Sequence, residues 1–218
     1  METLTREIGQ CRKCEQYGLS FLRYYKPTDY AEGNPESDIW LIGLNPRGDR
    51  LTKDRRTTSQ LRAYFMQDAI DSTFESFIGV SERLYARMRS AGKGVCHTDL
   101  FKCYSEGSVW KVRDEWVNNV REICENCSEH LSAQIDRHCS SIKMILCNGT
   151  KVVLAVQKTL SACGFVRVSD QFTSAEYARD DLHLFVINSG FIGRIDNFAK
   201  RRLGIEIEQI AEKAGVQL

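Results

Sequence analysis

Nine cysteines are the residues of this chain whose type and spacing point most directly to chemistry. Two of them, Cys11 and Cys14, form a Cys-x-x-Cys pair in a polar segment near the N-terminus. With two distant cysteines, such a pair supplies four thiolates, a set that suits zinc and a [4Fe–4S] cluster about equally. The N-terminus lacks the basic start and apolar stretch of a signal peptide, so we expect a cytoplasmic protein. In that reducing compartment, an odd number of cysteines does not indicate a disulfide framework.

The elements that must position such residues alternate between strands and helices. Apolar runs predict strands at residues 39–42, 95–101, 143–147, 165–168 and 182–187. Apolar residues at three- and four-residue steps predict helices at residues 59–70, 80–90, 115–139, 151–163 and 198–214. The alternation predicts an α/β fold, specifically a three-layer α/β/α sandwich with a mainly parallel central sheet. We find no linker or repeat, so we expect one domain over residues 1–218.

Polar residues and glycines stand at the ends of four predicted strands. These residues are Asn45, Asp99, Gly149 and Asn188. Ligands bind open α/β sheets outside the carboxyl ends of their strands. One cleft can therefore collect all four residues.

The composition is that of an ordinary globular protein, with 42% hydrophobic and 27% charged residues. No apolar run approaches the roughly 20 residues that span a bilayer, so we expect no membrane partner. The net charge of +1 excludes a bulk polycation held to nucleic acid by charge alone. Two local basic clusters flank the strand ends. Each is either a set of phosphate contacts or a solvated face of the protein. They comprise Arg47, Arg50, Lys53, Arg55 and Arg56, and Arg194, Lys200, Arg201 and Arg202.

Four short segments, taken in order, resemble the uracil-DNA glycosylase superfamily, and its iron–sulfur branch (family 4) most closely. They are Cys11-Arg-Lys-Cys14, Gly43-Leu-Asn-Pro-Arg-Gly48, Thr98-Asp-Leu-Phe-Lys-Cys103 and Cys127-Ser-Glu-His-Leu131. The resemblance covers the chain from Cys11 to about Arg202. It implies a monomeric enzyme that binds single- or double-stranded DNA, flips out one base and hydrolyses its glycosidic bond.

The resemblance also implies a structural [4Fe–4S] cluster, with zinc as the alternative. Its ligands would be Cys11, Cys14, Cys103 and Cys127. In the family the third ligand follows a lysine, as Cys103 does here. The fourth begins a helix with a leucine four positions later, as Cys127 does, although Cys124 competes for this role.

The segment Gly43-Leu44-Asn45-Pro46 resembles the catalytic turn of the superfamily. Family 4 usually has Gly-Glu-Ala-Pro-Gly here, whereas the mismatch-specific and single-strand-selective branches carry Gly-hydrophobic-Asn-Pro. We therefore expect Asn45 to hold the attacking water through its amide oxygen, with Gly43, Leu44 and Pro46 lining the base.

A late His-Pro-Ser turn of the superfamily is replaced here by Asn188-Ser-Gly, so Asn188 could donate one hydrogen bond to the departing base but cannot become cationic. Phe191 and Ile192 follow where relatives carry an intercalating loop. They are either wedges that fill the gap left by a flipped nucleotide or two core residues.

Asp99 occupies the position where family 4 has the asparagine that recognises uracil. An ionised carboxylate only accepts hydrogen bonds, so it repels uracil O4 and favours the exocyclic amino group of cytosine. If burial keeps the carboxyl neutral, it can donate to cytosine N3 and help the base leave, although that form also fits uracil. The polar residues 52–59 replace a segment that stacks on uracil in the family, which suits a base with a polar substituent.

The resulting hypothesis is a monofunctional DNA glycosylase for a modified cytosine, such as the hydroxymethylated or glucosylated bases of bacteriophage DNA. A role in anti-phage defence follows from that substrate. The alternatives are a uracil-DNA glycosylase of base excision repair and a catalytically silent protein that binds a modified base. A zinc-stabilised interaction domain without a base pocket is a further alternative.

Overall fold

A computed structural model of the chain describes residues 2–17, 19–20, 31–44, 75–90, 94–102, 104–105 and 113–218. Its five helices are α1 (Glu2–Gln10), α2 (Glu82–Met88), α3 (Arg113–His138), α4 (Thr150–Ala162) and α5 (Asn197–Ala214). Its first strands are β1 (Leu19–Ser20), β2 (Glu32–Gly33), β3 (Ile39–Gly43), β4 (Cys96–Asp99) and β5 (Tyr104–Ser105). The later strands are β6 (Met144–Cys147), β7 (Val166–Asp170), β8 (Ser174–Arg179) and β9 (Leu182–Asn188).

Seven of the strands form one sheet in the order β2-β4-β3-β6-β9-β8-β7, and β1 pairs with β5 in a small ribbon. The four central strands β4, β3, β6 and β9 run parallel to one another. The outer strands β2, β8 and β7 are antiparallel to their neighbours. The predicted α/β class is confirmed, and the sheet is mixed rather than mainly parallel. The three-layer arrangement stays a prediction.

Two of the antiparallel strands, β8 and β2, are the part of the sheet that periodicity did not predict, whereas β7 matches the strand predicted at residues 165–168. Strand β8 has the sequence Ser-Ala-Glu-Tyr-Ala-Arg, which is too polar to stand out as an apolar run. It exists because β9 and β7 both pair with it. Strand β2 has two residues, and it lies in what the sequence indicates as a loop between Pro27 and Pro35.

The central strands are buried on both faces, as their continuous apolar sequences indicate. In β3, Ile39 and Leu41 pack in one cluster with residues of α2 and α5. The alternate residues Trp40 and Ile42 pack in a second cluster with residues of α3 and α4. The sheet is therefore held from both sides, which fixes the position of its strand ends.

Local signals start and stop the helices that cover the sheet. The side chain of Ser81 accepts a hydrogen bond from Leu84 N at the start of α2, and Asp196 accepts one from Ala199 N at the start of α5. Helix α5 ends at Gly215, whose φ of 63° is left-handed and favours glycine. None of the helices in the described part of the chain has the length and apolar character needed to cross a bilayer.

Candidate functional site

The carboxyl ends of the four parallel strands meet at one edge of the sheet. Gly43 of β3 is paired in register with Asp99 of β4, and Cys147 of β6 with Asn188 of β9. The backbone after β4 remains attached to β3, because Leu100 N donates to Gly43 O and Phe101 N to Leu44 O, both at 2.9 Å. Asp99, Asn188 and Gly149 thus lie at the same edge, as the sequence predicts.

Asp99 is a buried acid at this edge, with 3% of its surface exposed. Its carboxylate lies directly over Gly43, where a Cβ atom would be 2.3 Å from Asp99 Oδ1. No other residue type fits at position 43 while Asp99 keeps this position. The glycine is therefore needed for the close approach of the carboxylate, in addition to any role in the turn that follows.

A histidine that the sequence analysis did not select extends this site. His97 lies two residues before Asp99, so both side chains point to the same face of β4. Its Nδ1 is 2.6 Å from Glu32 Oε2, and its Nε2 is 3.7 Å from Asp99 Oδ1. All three side chains are buried. Because a carboxylate only accepts, Nδ1 must carry the hydrogen in the contact with Glu32.

The spacing of His97 and Asp99 could have been recognised as one strand face. Glu32 could not, because it is 65 residues away and belongs to a two-residue strand. Its register opposite His97 in β2 is what brings the carboxylate to the imidazole. The sequence alone therefore gives two of the three members of this array.

The opposite face of β4 carries a different polar network. Lys102 is buried, with 1% of its surface exposed. Its Nζ donates to Thr98 Oγ1, to the backbone oxygen of Asp99 and to Gln134 Oε1 at 2.5–3.0 Å. Gln134 also donates from Nε2 to Thr98 Oγ1 at 3.3 Å. The amine is enclosed by these acceptors, so it is not available to form a Schiff base.

The turn after β9 holds Asn188 by its amide oxygen. Asn188 Oδ1 accepts a hydrogen bond from Gly190 N at 3.0 Å. Ser189 Oγ donates to Cys147 O at 3.0 Å, which ties this turn to β6. With its oxygen engaged, Asn188 has only its amide hydrogens to offer a base. It supplies no positive charge.

Phe191 and Ile192, the two residues considered as wedges, differ in exposure. Phe191 is exposed over 53% of its surface, and the Arg194 guanidinium lies 5.3 Å from its ring centroid. Ile192 is fully buried, with its N–H donated to Asn148 Oδ1 at 3.1 Å. Of the two alternatives for Ile192, the structure agrees with the core residue, because its side chain belongs to a buried cluster with residues of α2 and α5.

Further exposed apolar and basic groups accompany Phe191. Phe198 and Ile78 are exposed over 71% and 54% of their surfaces. Lys200 Nζ donates to Ile78 O at 3.4 Å, which joins the start of α5 to the segment before α2. An apolar and basic surface of this kind suits stacking on bases and contact with phosphates.

Two of the predicted cluster ligands meet in the structure. The thiols of Cys14 and Cys127 are both buried and hydrogen-bond to each other. That hydrogen bond, together with a contact from Asn126 Nδ2 at 3.6 Å, lowers the pKa of Cys14 to about 7 against the opposing effect of burial. A thiol prepared for ionisation in this way suits a metal ligand. The pair joins the N-terminal segment to α3.

The two candidate fourth ligands, Cys124 and Cys127, lie in different contacts of α3. Burial raises the pKa of the Cys124 thiol. Among the nearby charges, Lys151 and Lys158 on α4 lower this pKa and Glu125 raises it. Cys124 thus belongs to the contact between α3 and α4, whereas Cys127 belongs to the contact with Cys14.

The described residues do not form a complete metal site. Cys11 lies in the same segment as Cys14. The charges of Cys11 and Cys127 both contribute to raising the pKa of Lys13. Among the described residues, no group of three or more His, Cys, Asp or Glu side chains is arranged to hold a metal ion. The third predicted ligand, Cys103, lies outside the described residues.

Several other predicted site residues also lie outside the described part of the chain. They are Asn45, Pro46, Arg47, Arg50, Arg55 and Arg56, together with the polar segment at 52–59 and the helix predicted at 59–70. Their roles stay predictions.

No model of a known protein family matches this chain, and no curated protein is significantly similar to it. The function is therefore inferred from the residues and their geometry.

Proposed function

We propose that this chain is a monofunctional DNA glycosylase that flips a modified cytosine out of DNA and hydrolyses its glycosidic bond, leaving an abasic site. The observation that carries the proposal is the buried Asp99 carboxylate at the carboxyl ends of the parallel strands, seated against Gly43. This is where such sheets bind their ligands. An acidic side chain is the usual contact for the amino group of cytosine.

The remaining residues take roles around the flipped base. Asn45 would hold the water that attacks the oxocarbenium-like sugar, and Asn188 would donate an amide hydrogen to the base. Phe191 would occupy the gap in the duplex, with Arg194 beside it on the phosphates. The enclosed amine of Lys102 supports hydrolysis by water rather than strand cleavage through a covalent amine intermediate.

Cys14 and Cys127, with Cys11 and Cys103, would hold a [4Fe–4S] cluster. The buried thiol pair with its lowered Cys14 pKa fits thiolate ligation. The cluster supplies structural support where the N-terminal segment meets α3, and it takes no part in bond cleavage. Zinc in the same four thiolates is the alternative.

Ordinary cytosine is an implausible substrate, because its removal would destroy the host genome. Hydroxymethylated and glucosylated cytosines of bacteriophage DNA carry the amino group that Asp99 would recognise. They also carry a polar substituent that suits residues 52–59. This substrate gives the protein a role in anti-phage defence.

One observation favours a second function, a protein that binds the modified base without releasing it. Asn188 stands where the superfamily has a histidine, and its oxygen is engaged with Gly190 N. If no other group assists the departing base, the chain would recognise a base and leave it in place.

The test is incubation with duplex and single-stranded DNAs that differ in one base, followed by alkaline cleavage of abasic sites. The bases are cytosine, 5-hydroxymethylcytosine, its glucosylated form and uracil. We expect abasic sites with a modified cytosine and not with cytosine. Tight binding without abasic sites would establish the second function instead, and efficient release of uracil alone would return the protein to uracil repair.

Asn45→Ala should abolish base release while DNA binding remains, because Asn45 acts in the transition state and not on the phosphates that dominate affinity. Asn197→Ala is a matched control, since Asn197 is exposed at the start of α5. Unchanged turnover in Asn45→Ala would remove this residue from the mechanism.

Protein prepared without oxygen should be brown and contain about four iron and about four sulfide ions per chain, the content of one [4Fe–4S] cluster. Cys127→Ser should lose the colour, whereas Cys124→Ser should keep it because Cys124 faces α4. A stoichiometric amount of zinc instead of iron would show that the four thiolates bind zinc and not a [4Fe–4S] cluster. Loss of colour in Cys124→Ser alone would identify Cys124, and not Cys127, as the fourth ligand.

A further inference from the structure

We propose that one exposed face of α5 binds the unpaired DNA strand beside the flipped nucleotide, so that the preferred substrate is single-stranded or locally unpaired DNA. Four residues form this face, the α5 stripe: Phe198, Arg201, Arg202 and Ile205. This strand preference rests on the proposed function, because it names the DNA that the same site takes.

The α5 stripe lies along one side of its helix. Its members follow one another at three, four and seven residues from Phe198, a spacing that places side chains on one helical face. All four are exposed, Phe198 over 71% and Ile205 over 61% of their surfaces. The opposite face of α5 already packs in the core through Leu203, Ile207 and Ile210. Packing of α5 on the sheet therefore does not account for large apolar side chains at positions 198 and 205.

The charge of this region favours an anionic ligand. Residues 191–206 contain four basic and two acidic side chains. They are Arg194, Lys200, Arg201 and Arg202 against Asp196 and Glu206. Asp196 is engaged as the cap of α5, since its Oδ1 accepts from Ala199 N at 2.8 Å. The positive excess attracts phosphates, although the whole chain is nearly neutral.

Stacking distinguishes a single strand from a duplex as the ligand. In a duplex the base faces are covered by their neighbours, and one aromatic ring fills the gap left by a flipped nucleotide. This surface has two exposed rings, Phe191 and Phe198. A single strand presents the face of every base, so both rings can stack while arginines contact the phosphates. Because seven residues span at most about 25 Å, a strand of several nucleotides reaches both rings.

The mixture of side chains favours DNA over a membrane surface. A helix that lies on a membrane keeps its apolar residues on one face and its charges on the other. In the α5 stripe, the two arginines lie between Phe198 and Ile205 on the same face. Arg194 and Phe191 repeat this combination, with the guanidinium 5.3 Å from the ring centroid. Aromatic rings interleaved with basic groups are typical of surfaces that bind single-stranded nucleic acid.

The test measures binding by fluorescence anisotropy, with a labelled single strand of about 16 nucleotides and the same strand in a duplex. The wild type should bind the single strand more tightly. Phe198→Ala should weaken single-strand binding about five- to a hundredfold, the effect of one stacked base, and leave duplex binding nearly unchanged. Phe198→Trp should keep the affinity. Phe198→Leu should lose it, because leucine retains apolar area but has no ring.

The salt dependence tests the arginines separately. For Arg201→Gln/Arg202→Gln, the slope of log affinity against log salt should fall by about 1.4, since each phosphate contact contributes about 0.7 on a single strand. Phe198→Ala should leave this slope unchanged. The matched control is Leu154→Ala/Lys158→Gln on α4, where both residues are exposed and four residues apart, as Phe198 and Arg202 are. The control should change neither affinity nor slope.

The outcomes separate the strand preference from the proposed function. Equal binding of both DNA forms by the wild type, or a single-strand preference that survives Phe198→Ala, overturns the role of the α5 stripe. Binding to phosphatidylserine vesicles that depends on Phe198, without single-strand binding, assigns the stripe to a membrane and also overturns it. Single-strand binding that depends on Phe198, in a protein that forms no abasic sites from any modified cytosine, supports the stripe and overturns the glycosylase.

Discussion

The two faces of strand β4 bury polar groups in opposite ways. On one face, Lys102 Nζ donates hydrogen bonds to three acceptors, which belong to Thr98, Asp99 and Gln134. On the other, His97 is held by Glu32 but stands 3.7 Å from Asp99, at the edge where ligands bind. The first network is closed and ties the sheet to α3. The second joins β2 to β4 through His97 and Glu32.

Burial of a polar group does not by itself identify a functional site. Both networks are buried and both contain a titratable side chain. What separates them is their position relative to the carboxyl ends of the strands, where such sheets bind their ligands. Substitutions in the closed network should affect stability, and substitutions in the array of Glu32, His97 and Asp99 should affect the reaction.

The largest effect is expected for Lys102→Met. The change leaves buried acceptors on Thr98, Asp99 and Gln134 without their donor, and each such group costs about 1–3 kcal/mol. We expect the free energy of unfolding to fall by about 3 kcal/mol or more, measured by urea denaturation. The exposed Lys158→Ala is the control. A fully stable Lys102→Met would show that the network is not closed as described.

Asp99→Asn should change base preference more than stability. The amide restores a donor for O4, so the ratio of uracil release to modified cytosine release should rise about ten- to a hundredfold, or about 1–3 kcal/mol. Competition between two labelled DNAs in one reaction measures this ratio directly. An unchanged ratio would remove Asp99 from base recognition and with it the proposed contrast between the two faces.

Thr98→Val tests the residue next to Asp99 with the opposite expectation. Valine has nearly the same shape, and it removes the hydroxyl that accepts from Lys102 and Gln134. We expect a loss of stability of about 1 kcal/mol, with base preference unchanged. If Thr98→Val altered base choice as strongly as Asp99→Asn, the two faces would not be functionally separate.

The smallest effect is expected for Glu129→Gln, outside both networks. Glu129 pairs with Lys13 at 2.6 Å beside the thiol pair, and both side chains are exposed. The hydrogen bond from Lys13 lowers the pKa of Glu129, so the pair stabilises at neutral pH and this contribution is lost as pH falls through the lowered pKa. At the surface it should amount to at most about 0.5 kcal/mol in thermal denaturation. A larger loss would mean that this pair supports the fold of the N-terminal segment.

Much of the strand edge was predictable, because short apolar runs with polar ends are local features. The parallel strands, four of the five described helices (α2 to α5) and the edge positions of Asp99 and Asn188 follow from such patterns, whereas α1 was not predicted. Glu32 and strand β8 do not, since a two-residue strand and a polar strand exist only through pairing with distant segments. Ile192 shows the same limit in reverse: its position after a strand suggests exposure, yet packing under the sheet buries it.

The alternation of side chains along β4 also bears on how accurately the chain must fold. A shift of this strand by one residue would turn His97 and Asp99 towards α3 and expose Thr98 at the strand-end edge. His97 and Asp99 would then be buried among apolar residues, and Lys102 would lose its acceptors. Misregistered pairing is therefore penalised on both faces at once. His97, Thr98, Asp99 and Lys102 form the two networks of the native strand. The same four residues also make pairing shifted by one residue unfavourable.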